Sequence, residues 1–232
     1  MTFYRFIILT LSIALFYNCA EEKKTPLKIV PKKTIETIVK KEAKKVEKPW
    51  DSLNSQNTKA FFTEYGKQNK ETKILLKTKF GNIKLRLFND TPIHRASFIF
   101  LTKIGYFNTT VFHRVAKHMV IQGGEAEGRE SANYRNKYKN YKLPAEILKY
   151  RKHKYGALAL AKDEDYNTSN LSNAFNFYIV NNKNGAHHLD GQYTVFGQVI
   201  SGYSTIRKIS NVKVNYSQWP IEDVFIDMEV IE

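Results

Sequence analysis

Hydrophobic and polar residues alternate along several short stretches in the C-terminal two thirds of the chain. Between residues 82 and 88, three aliphatic residues are separated by a lysine and an arginine. A period of two places the aliphatic side chains on one face and predicts a β-strand. Further strands are predicted in the segments 72–79, 111–115, 119–122, 156–161, 175–180, 193–200 and 224–231.

Two longer segments have the spacing of helices instead. Residues 90–92, Asp-Thr-Pro, form a helix-start signature in which Thr91 is the expected capping residue. Gly105 is expected to end this helix. Its predicted buried residues are Ala96, Phe98, Ile99, Leu101 and Ile104. Residues 201–210 predict a second helix, with Tyr203, Ile206 and Ile209 facing inward.

About eight strands and two helices in about 160 residues indicate one domain with a mainly β fold. We expect a closed eight-stranded antiparallel β-barrel capped by two α-helices over residues 71–232. A short helix is predicted within residues 55–70, ending at Gly66 and packing on this domain. The polar residues 125–154 are expected to form a long loop that ends in a short strand or turn.

Arg5 is the only charged residue among the first 18, and the almost unbroken apolar run from Phe6 to Tyr17, about 12 residues, is too short to span a membrane. They predict a signal peptide over residues 1–18. Cys19, the only cysteine, follows directly. This arrangement resembles a bacterial lipoprotein signal, which implies a lipidated Cys19 and an exported, membrane-anchored protein of the cell envelope. The residues before Cys19 are larger than usual, so a plain signal peptide or short anchor with an incidental cysteine stays open.

Residues 19–54 are rich in lysine, are interrupted by prolines and have little that could fill a core. They predict a disordered tether. The net charge of the chain is +15. Such a charge suits nucleic acid, acidic lipid or acidic polymers, and equally a solvated lysine surface. Because no nucleic-acid-binding motif is present, we expect no nucleic-acid partner. A single cysteine excludes an intramolecular disulfide.

The most informative stretch is FHRVAKHMVIQGG, residues 112–124, which places a permanent cation beside apolar side chains. It resembles the signature of the cyclophilin-type peptidyl-prolyl isomerases: Phe-His-Arg, a variable apolar patch, then Gln-Gly-Gly. The segments GYFNTTVFHR, GALALA, FNFYIV and HLDGQYTVFGQVI follow the order of that family. The resemblance extends from about residue 72 to residue 232.

The resemblance implies a substrate groove on the outer surface of the barrel and proline-containing polypeptides as clients. Arg114 would hydrogen-bond the peptide at the prolyl bond, and Gln122 would fix the residue before proline. The implied substrate-binding residues are Phe112, Met119, Leu160, Ala161, Asn176, Tyr178, Leu189 and Tyr193. No cofactor is implied. Neither the pair His113 and His118 nor the pair His187 and His188 has a cysteine or carboxylate at ligand spacing, so no metal site is predicted.

The chemistry of these residues agrees with that assignment. Rotation about an X-Pro bond needs loss of amide resonance, behind a barrier of about 18–20 kcal/mol, and no covalent intermediate. An always-charged guanidinium with several donors, placed in a partly dry pocket, can stabilise the twisted amide. We therefore expect a peptidyl-prolyl isomerase that assists the folding of exported or envelope proteins.

Two departures from the family pattern keep alternatives open. Met119 stands where phenylalanine is common, and a flexible thioether holds a proline ring less rigidly, so activity is expected to be modest. Lys162 stands where asparagine or arginine is common. The first alternative is a non-catalytic or weakly catalytic proline-peptide-binding chaperone or adaptor on the same fold. The second, suggested by the lysine-rich tether and not by the pocket, is a basic envelope protein that binds acidic polymer or lipid.

Overall fold

The computed structural model describes residues 53–54, 56–163 and 169–232. The strands in this part of the chain are β1 (Lys73–Thr78), β2 (Gly81–Leu87), β3 (Val111–Ala116), β4 (Val120–Glu125), β5 (Lys142–Leu143), β6 (Ala157–Leu160), β7 (Ser172–Asn173), β8 (Phe177–Val180), β9 (Val195–Ser201) and β10 (Asp227–Val230). The helices are α1 (Thr58–Gln68), α2 (Pro92–Lys103), α3 (Arg129–Lys137) and α4 (Tyr203–Ile209), with short 3-10 helices at Phe107–Thr109 and His187–Leu189.

Eight of the strands form one antiparallel sheet in the order β10-β1-β2-β9-β6-β8-β4-β3. The edge strands meet at a short seam, where the Phe112 amide donates to the Val224 carbonyl at 2.9 Å and the Ile226 amide donates to the Thr110 carbonyl at 3.1 Å. The predicted mainly β, eight-stranded antiparallel architecture is confirmed. The barrel is closed only by this short seam, and not by a continuous ladder of hydrogen bonds between β10 and β3. The strand β10 itself pairs with β1, and only residues 224–226, which precede it, reach β3.

Alternate residues of the same strands face opposite sides of the barrel wall. On β6, Leu158 and Leu160 pack in the main core, whereas Ala157 and Ala159 belong to a separate apolar cluster. This outer cluster consists of Ala116, Val120, Ala157, Ala159, Tyr178, Val180, Ala186 and Val195. One period-two pattern therefore supplies both the barrel core and the apolar floor of a site on the outer face.

The two predicted capping helices are present as α2 and α4, and their predicted apolar faces are buried or half-buried. The expected side-chain cap at Thr91 is wrong: its hydroxyl makes no cap hydrogen bond. The carboxylate of Glu146 takes that place, accepting from the amides of Ile93 at 3.0 Å and His94 at 2.9 Å. A carboxylate at a helix N-terminus is also favoured by the helix dipole.

Helix α1 lies within the range in which a short helix was predicted, but Gly66 does not end it. Gly66 is buried instead, and a Cβ atom there would lie 3.2 Å from the Cβ of Ala96 on α2. The glycine lets the two helices approach closely. Phe62 is completely buried on the same face of α1, and Leu53 is buried as well, so the folded part includes the end of the range expected to be a tether.

The polar stretch expected to be a loop, residues 125–154, contains helix α3. Few of its residues are apolar, so periodicity gave no signal, and the helix is held by contacts such as Tyr134 donating to the Ile104 carbonyl at 3.0 Å. The short strand predicted near residue 143 is found as β5.

The predicted signal peptide over residues 1–18, Cys19 and the predicted tether as far as residue 52 lie outside the described residues. Among the helices that the structure describes, none is both long and apolar enough to cross a membrane.

Candidate active site

Four side chains form a row across the outer face of the barrel. Arg114 on β3 stands opposite Gln122 on β4, Gln122 stands opposite Tyr178 on β8, and Tyr178 stands opposite Ala159 on β6. Directly paired residues on neighbouring strands project from the same face. The strand register therefore brings together the guanidinium, the amide and the aromatic ring, although they are far apart in sequence.

A pocket of about 320 Å³ opens over this row. It is lined by Arg114, Met119, Val120, Gln122, Ala161, Lys162, Tyr178, Leu189 and Tyr193. Seven of the ten residues named from the sequence are in that lining. Its floor is the outer apolar cluster, and Leu189 belongs to the 3-10 helix at one wall. A small apolar recess flanked by one cation and one amide is suited to a ring-shaped apolar side chain with a polar backbone beside it.

The structure places the other three residues elsewhere. Phe112 and Leu160 are almost completely buried in the main core, because each occupies an inward position of its strand. Their side chains pack the barrel and do not line the pocket. Asn176 is next to the pocket through its backbone, since its carbonyl accepts from the Ala161 amide at 2.8 Å. With the side-chain nitrogen of Asn176 oriented towards the neighbouring carbonyls, it donates to the Gly124 carbonyl at 3.1 Å.

The two glycines after Gln122 are required by close packing. A Cβ atom at Gly123 would lie 2.7 Å from the Cδ1 atom of Ile226. Gly124 has φ +101°, and a Cβ atom there would overlap the carbonyl oxygen of Phe175. Only glycine adopts this conformation without strain and leaves that space open. The glycine pair lets β4 run past the core so that Gln122 keeps its place in the row.

The guanidinium of Arg114 is half-buried at the rim of the pocket. Within the described part of the chain, no carboxylate lies within 4 Å of it. Its donors are therefore available to a ligand. The sequence did not single out two other lining residues, Val120 and Lys162, as site residues. The ammonium of Lys162 donates to the Asn170 side chain at 2.9 Å and lies 4.4 Å from the ring centre of Tyr193.

A buried network holds the floor and one wall of the pocket. Asp190 accepts from the His153 ring at 2.8 Å, and the other ring nitrogen of His153 lies 2.9 Å from the Tyr178 hydroxyl. Burial would raise the pKa of Asp190, but hydrogen bonds from His153 and His187 lower it to about 2. Because a carboxylate only accepts, the His153 Nδ1 carries the hydrogen that it shares with Asp190.

His153 and Tyr178 keep fixed protonation states in this network. Burial lowers the pKa of His153 and raises that of Tyr178 well above its usual value. At neutral pH the tyrosine hydroxyl therefore donates to an uncharged imidazole. Sequence analysis missed this network because its members lie on three separate segments. The alternation of apolar residues gives no information about contacts between polar side chains.

His113 lies outside the pocket lining. Its ring is buried beside Trp219, with the ring centres 5.7 Å apart, and it is 3.9 Å from the carboxylate of Glu125. Burial lowers the pKa of His113 to about 4; Glu125 opposes that shift, and the charge of Arg114 adds to it. The imidazole is therefore neutral at pH 7. Over the described ranges, no cluster of three or more His, Cys, Asp and Glu residues could hold a metal ion.

Fold and site together define the class of the protein: an eight-stranded β-barrel with an apolar pocket, flanked by a cation, on its outer face. Residues 73–230 match the family model described as cyclophilin type peptidyl-prolyl cis-trans isomerase/CLD. The chain therefore belongs to the cyclophilin-type peptidyl-prolyl cis-trans isomerases, and its enzyme class is that of an isomerase.

Curated relatives carry the same family name. The chain is 34% identical over 160 residues to a peptidyl-prolyl cis-trans isomerase of Dictyostelium discoideum, covering 67% of this chain and 95% of the relative. It is 34% identical over 146 residues to one of Acinetobacter baylyi, covering 61% and 73%. The match to peptidyl-prolyl cis-trans isomerase-like 2 of Rhizopus delemar, also at 34%, covers 70% of this chain but 29% of that longer protein.

A solved structure shows the same fold. It is a Cryptosporidium parvum cyclophilin type peptidyl-prolyl cis-trans isomerase, crystallised in the presence of the dipeptide Ala-Pro. The TM-score is 0.57 at 24% identity, over 69% of this chain and 99% of that one.

Proposed function

We propose that this chain accelerates cis-trans isomerisation of X-Pro bonds in polypeptides, with Arg114 as its catalytic residue. The observation that carries the proposal is the Arg114 guanidinium at the rim of the apolar pocket, which has no carboxylate partner among the described residues. The proline ring occupies the recess between Met119, Tyr178 and Leu189. Gln122 binds the backbone of the residue before proline.

The physical chemistry follows from that arrangement. As the amide twists, its nitrogen regains a lone pair and becomes a hydrogen-bond acceptor. A guanidinium donor directed at that nitrogen stabilises the twisted state more than either planar isomer. The proline ring is held in the pocket while the carbonyl side rotates. No proton is transferred, which agrees with the neutral and buried state of the nearby histidines.

The experiment compares isomerisation of an X-Pro test peptide by the wild-type chain and by Arg114→Ala. Removal of a donor that acts in the transition state is expected to lower kcat/KM by about 10²–10³-fold. Arg86→Ala is the matched control, because Arg86 is an exposed arginine on β2, outside the pocket lining. Wild-type activity in a folded Arg114→Ala variant would exclude the catalytic assignment.

A second candidate function rests on Met119. Its flexible side chain lines the pocket, so the groove could bind proline peptides as a chaperone or adaptor with little turnover. Peptide binding that requires Arg114, together with an isomerisation rate equal to the uncatalysed rate, would favour this function.

The proposed cellular role is folding assistance for exported or envelope proteins. It is supported by the apolar residues 1–18 and by Cys19 at their end. We expect the protein to be lipidated at Cys19 and recovered with membranes. Cys19→Ala is expected to release it into the soluble fraction of a cell extract, with mass spectrometry of the N-terminal peptide as the direct measurement. Membrane recovery that is unchanged in Cys19→Ala would contradict the lipid anchor.

A further inference from the structure

A second cation, Lys162, lies at the other end of the peptide pocket from Arg114. The four strands under the pocket lie in the order β6-β8-β4-β3 in the sheet. Arg114 belongs to β3, and Lys162 follows the end of β6. Both side chains line the pocket, and no aspartate or glutamate is among the described residues of that lining. A peptide in the pocket therefore lies between two positive charges.

Partial burial without an acidic partner distinguishes these two side chains from the other basic residues of the described chain. Most of the described lysines and arginines are exposed. The half-buried ones outside the pocket each lie within 4 Å of a carboxylate: Lys73, Lys77, Arg135, Lys142 and Arg151. Lys162 and Arg114 are also half-buried, but no carboxylate of the described residues lies within 4 Å of either. Because solvent screens a half-buried charge less than an exposed one, each of the two attracts an anion in the pocket.

Two contacts hold the ammonium of Lys162 at the pocket. It donates to the Asn170 side-chain oxygen at 2.9 Å and lies 4.4 Å from the ring centre of Tyr193. The Tyr193 ring centre is 5.9 Å from that of Tyr178, against which the proline ring is placed. Neither contact supplies a negative charge, and an ammonium has three donors, so donors remain for a ligand. A side chain that is already positioned loses less conformational entropy when it binds.

We propose that Lys162 determines substrate specificity, so that the enzyme prefers polypeptides with an aspartate or glutamate directly next to the proline. This inference rests on the proposed isomerase function, because it places the peptide in the same pocket. One residue of extended chain spans about 3.3–3.6 Å, so a residue that flanks the proline at Tyr178 can direct its side chain towards Lys162. Its carboxylate pairs with the ammonium while Arg114 acts at the prolyl bond.

The position of this ion pair predicts which kinetic constant carries the preference. The carboxylate and the ammonium do not change as the prolyl bond rotates. The pair therefore stabilises the bound substrate and the transition state equally. Such uniform binding lowers KM and leaves kcat nearly unchanged. A side chain that acted on the twisted amide would change kcat instead.

The experiment uses test peptides that differ only by Glu or Gln, placed directly before or directly after the proline. For the wild-type chain, kcat/KM is expected to be about three- to tenfold higher for Glu than for Gln in one of the two positions. Lys162→Gln is expected to bring this ratio close to one, whereas Lys162→Arg, which keeps the charge, is expected to retain it. Lys84→Gln is the matched control, because Lys84 is an exposed lysine on β2 outside the pocket lining. The ratio is also expected to fall in about 0.5 M salt, which screens the pair.

Reversal of the charge gives a further check, since Lys162→Glu is expected to prefer Lys over Gln at the same peptide position. A wild-type ratio within about twofold of one at both positions, or a ratio that Lys162→Gln leaves unchanged, overturns the proposal. Failure of the isomerase function is distinguishable, because neither peptide would then be accelerated. The dissociation constants of the same peptides still decide in that case: tighter binding of the Glu peptide that requires Lys162 supports the specificity, and equal binding overturns it.

Discussion

At the scale of single residues, burial has fixed the protonation state of two histidines that a sequence comparison would not distinguish from exposed ones. His153 is completely enclosed between Asp190 and Tyr178, and His113 is enclosed beside Trp219. Burial lowers the pKa of both. Each is therefore uncharged in the folded protein at a pH at which the unfolded chain begins to bind protons.

This difference predicts a stability that falls on acidification. The pKa of His113 is about 4 in the folded state and about 6.5 in the unfolded state, so the unfolded state binds the additional proton. The stabilisation is fully present above pH 6.5 and is lost as the pH falls towards about 4. For His113 the expected slope is about 1.4 kcal/mol per pH unit between these two values, and His153 adds a contribution of the same sign. Asp190 contributes in a separate window, between its unfolded pKa of about 4 and its folded pKa of about 2.

Urea unfolding at pH 7.5, 6.5, 5.5 and 4.5 measures this dependence. The comparison with His113→Gln concerns the slope and not the absolute free energy, because the substitution also changes packing. The variant is expected to have a shallower slope than the wild type, with the contribution of His153 remaining. A free energy of unfolding that is constant from pH 7 to pH 5 would show that these histidines titrate normally in the folded protein.

At the scale of elements, the sequence predicted best where one side of an element is buried and the other is not. The strand β2 has this pattern, and so has α4. Helix α3 was missed because its residues are mostly polar and its position depends on tertiary contacts such as that of Tyr134. Gly66 was interpreted as a stop signal, yet it lies within α1 because α2 needs the space. A glycine in a helical sequence can either end the helix or allow another element to pack closely against it. Which of the two applies depends on the neighbouring element.

The packing of α1 on α2 gives a direct test. In Gly66→Val, the Cβ atom alone would lie 3.2 Å from that of Ala96, and two further methyl groups have no room. We expect the free energy of unfolding to fall by about 1–3 kcal/mol through overpacking. Ala60→Val is the control, because Ala60 is exposed on the same helix and its substitution costs only helix propensity, less than about 1 kcal/mol. Equal losses in both variants would mean that α1 does not depend on this close approach.

At the scale of the whole molecule, the period-two strands and two helical segments were enough to predict the barrel, whereas the seven pocket residues were implied by the family resemblance. Phe112 and Leu160 were assigned to the pocket through resemblance alone, although their inward positions in the strand alternation place them in the core. The network of His153, Tyr178 and Asp190 could not be predicted, because hydrogen bonds between distant segments leave no periodic pattern in a sequence. Closure of the barrel by the segment 224–231 was predicted, but not that only residues 224–226 form the seam with the start of β3.

The two faces of the barrel wall also have a consequence for protein engineering. Within β6 and β8, odd and even positions belong to different packing environments, so a library restricted to pocket-lining residues outside the main core, such as Met119 and Leu189, varies the pocket while the inward residues remain unchanged. Variants with a changed substrate preference can then be selected, and few of them are expected to fail to fold. An evolving lineage has the same freedom, since it can change its clients by mutations that leave the scaffold intact.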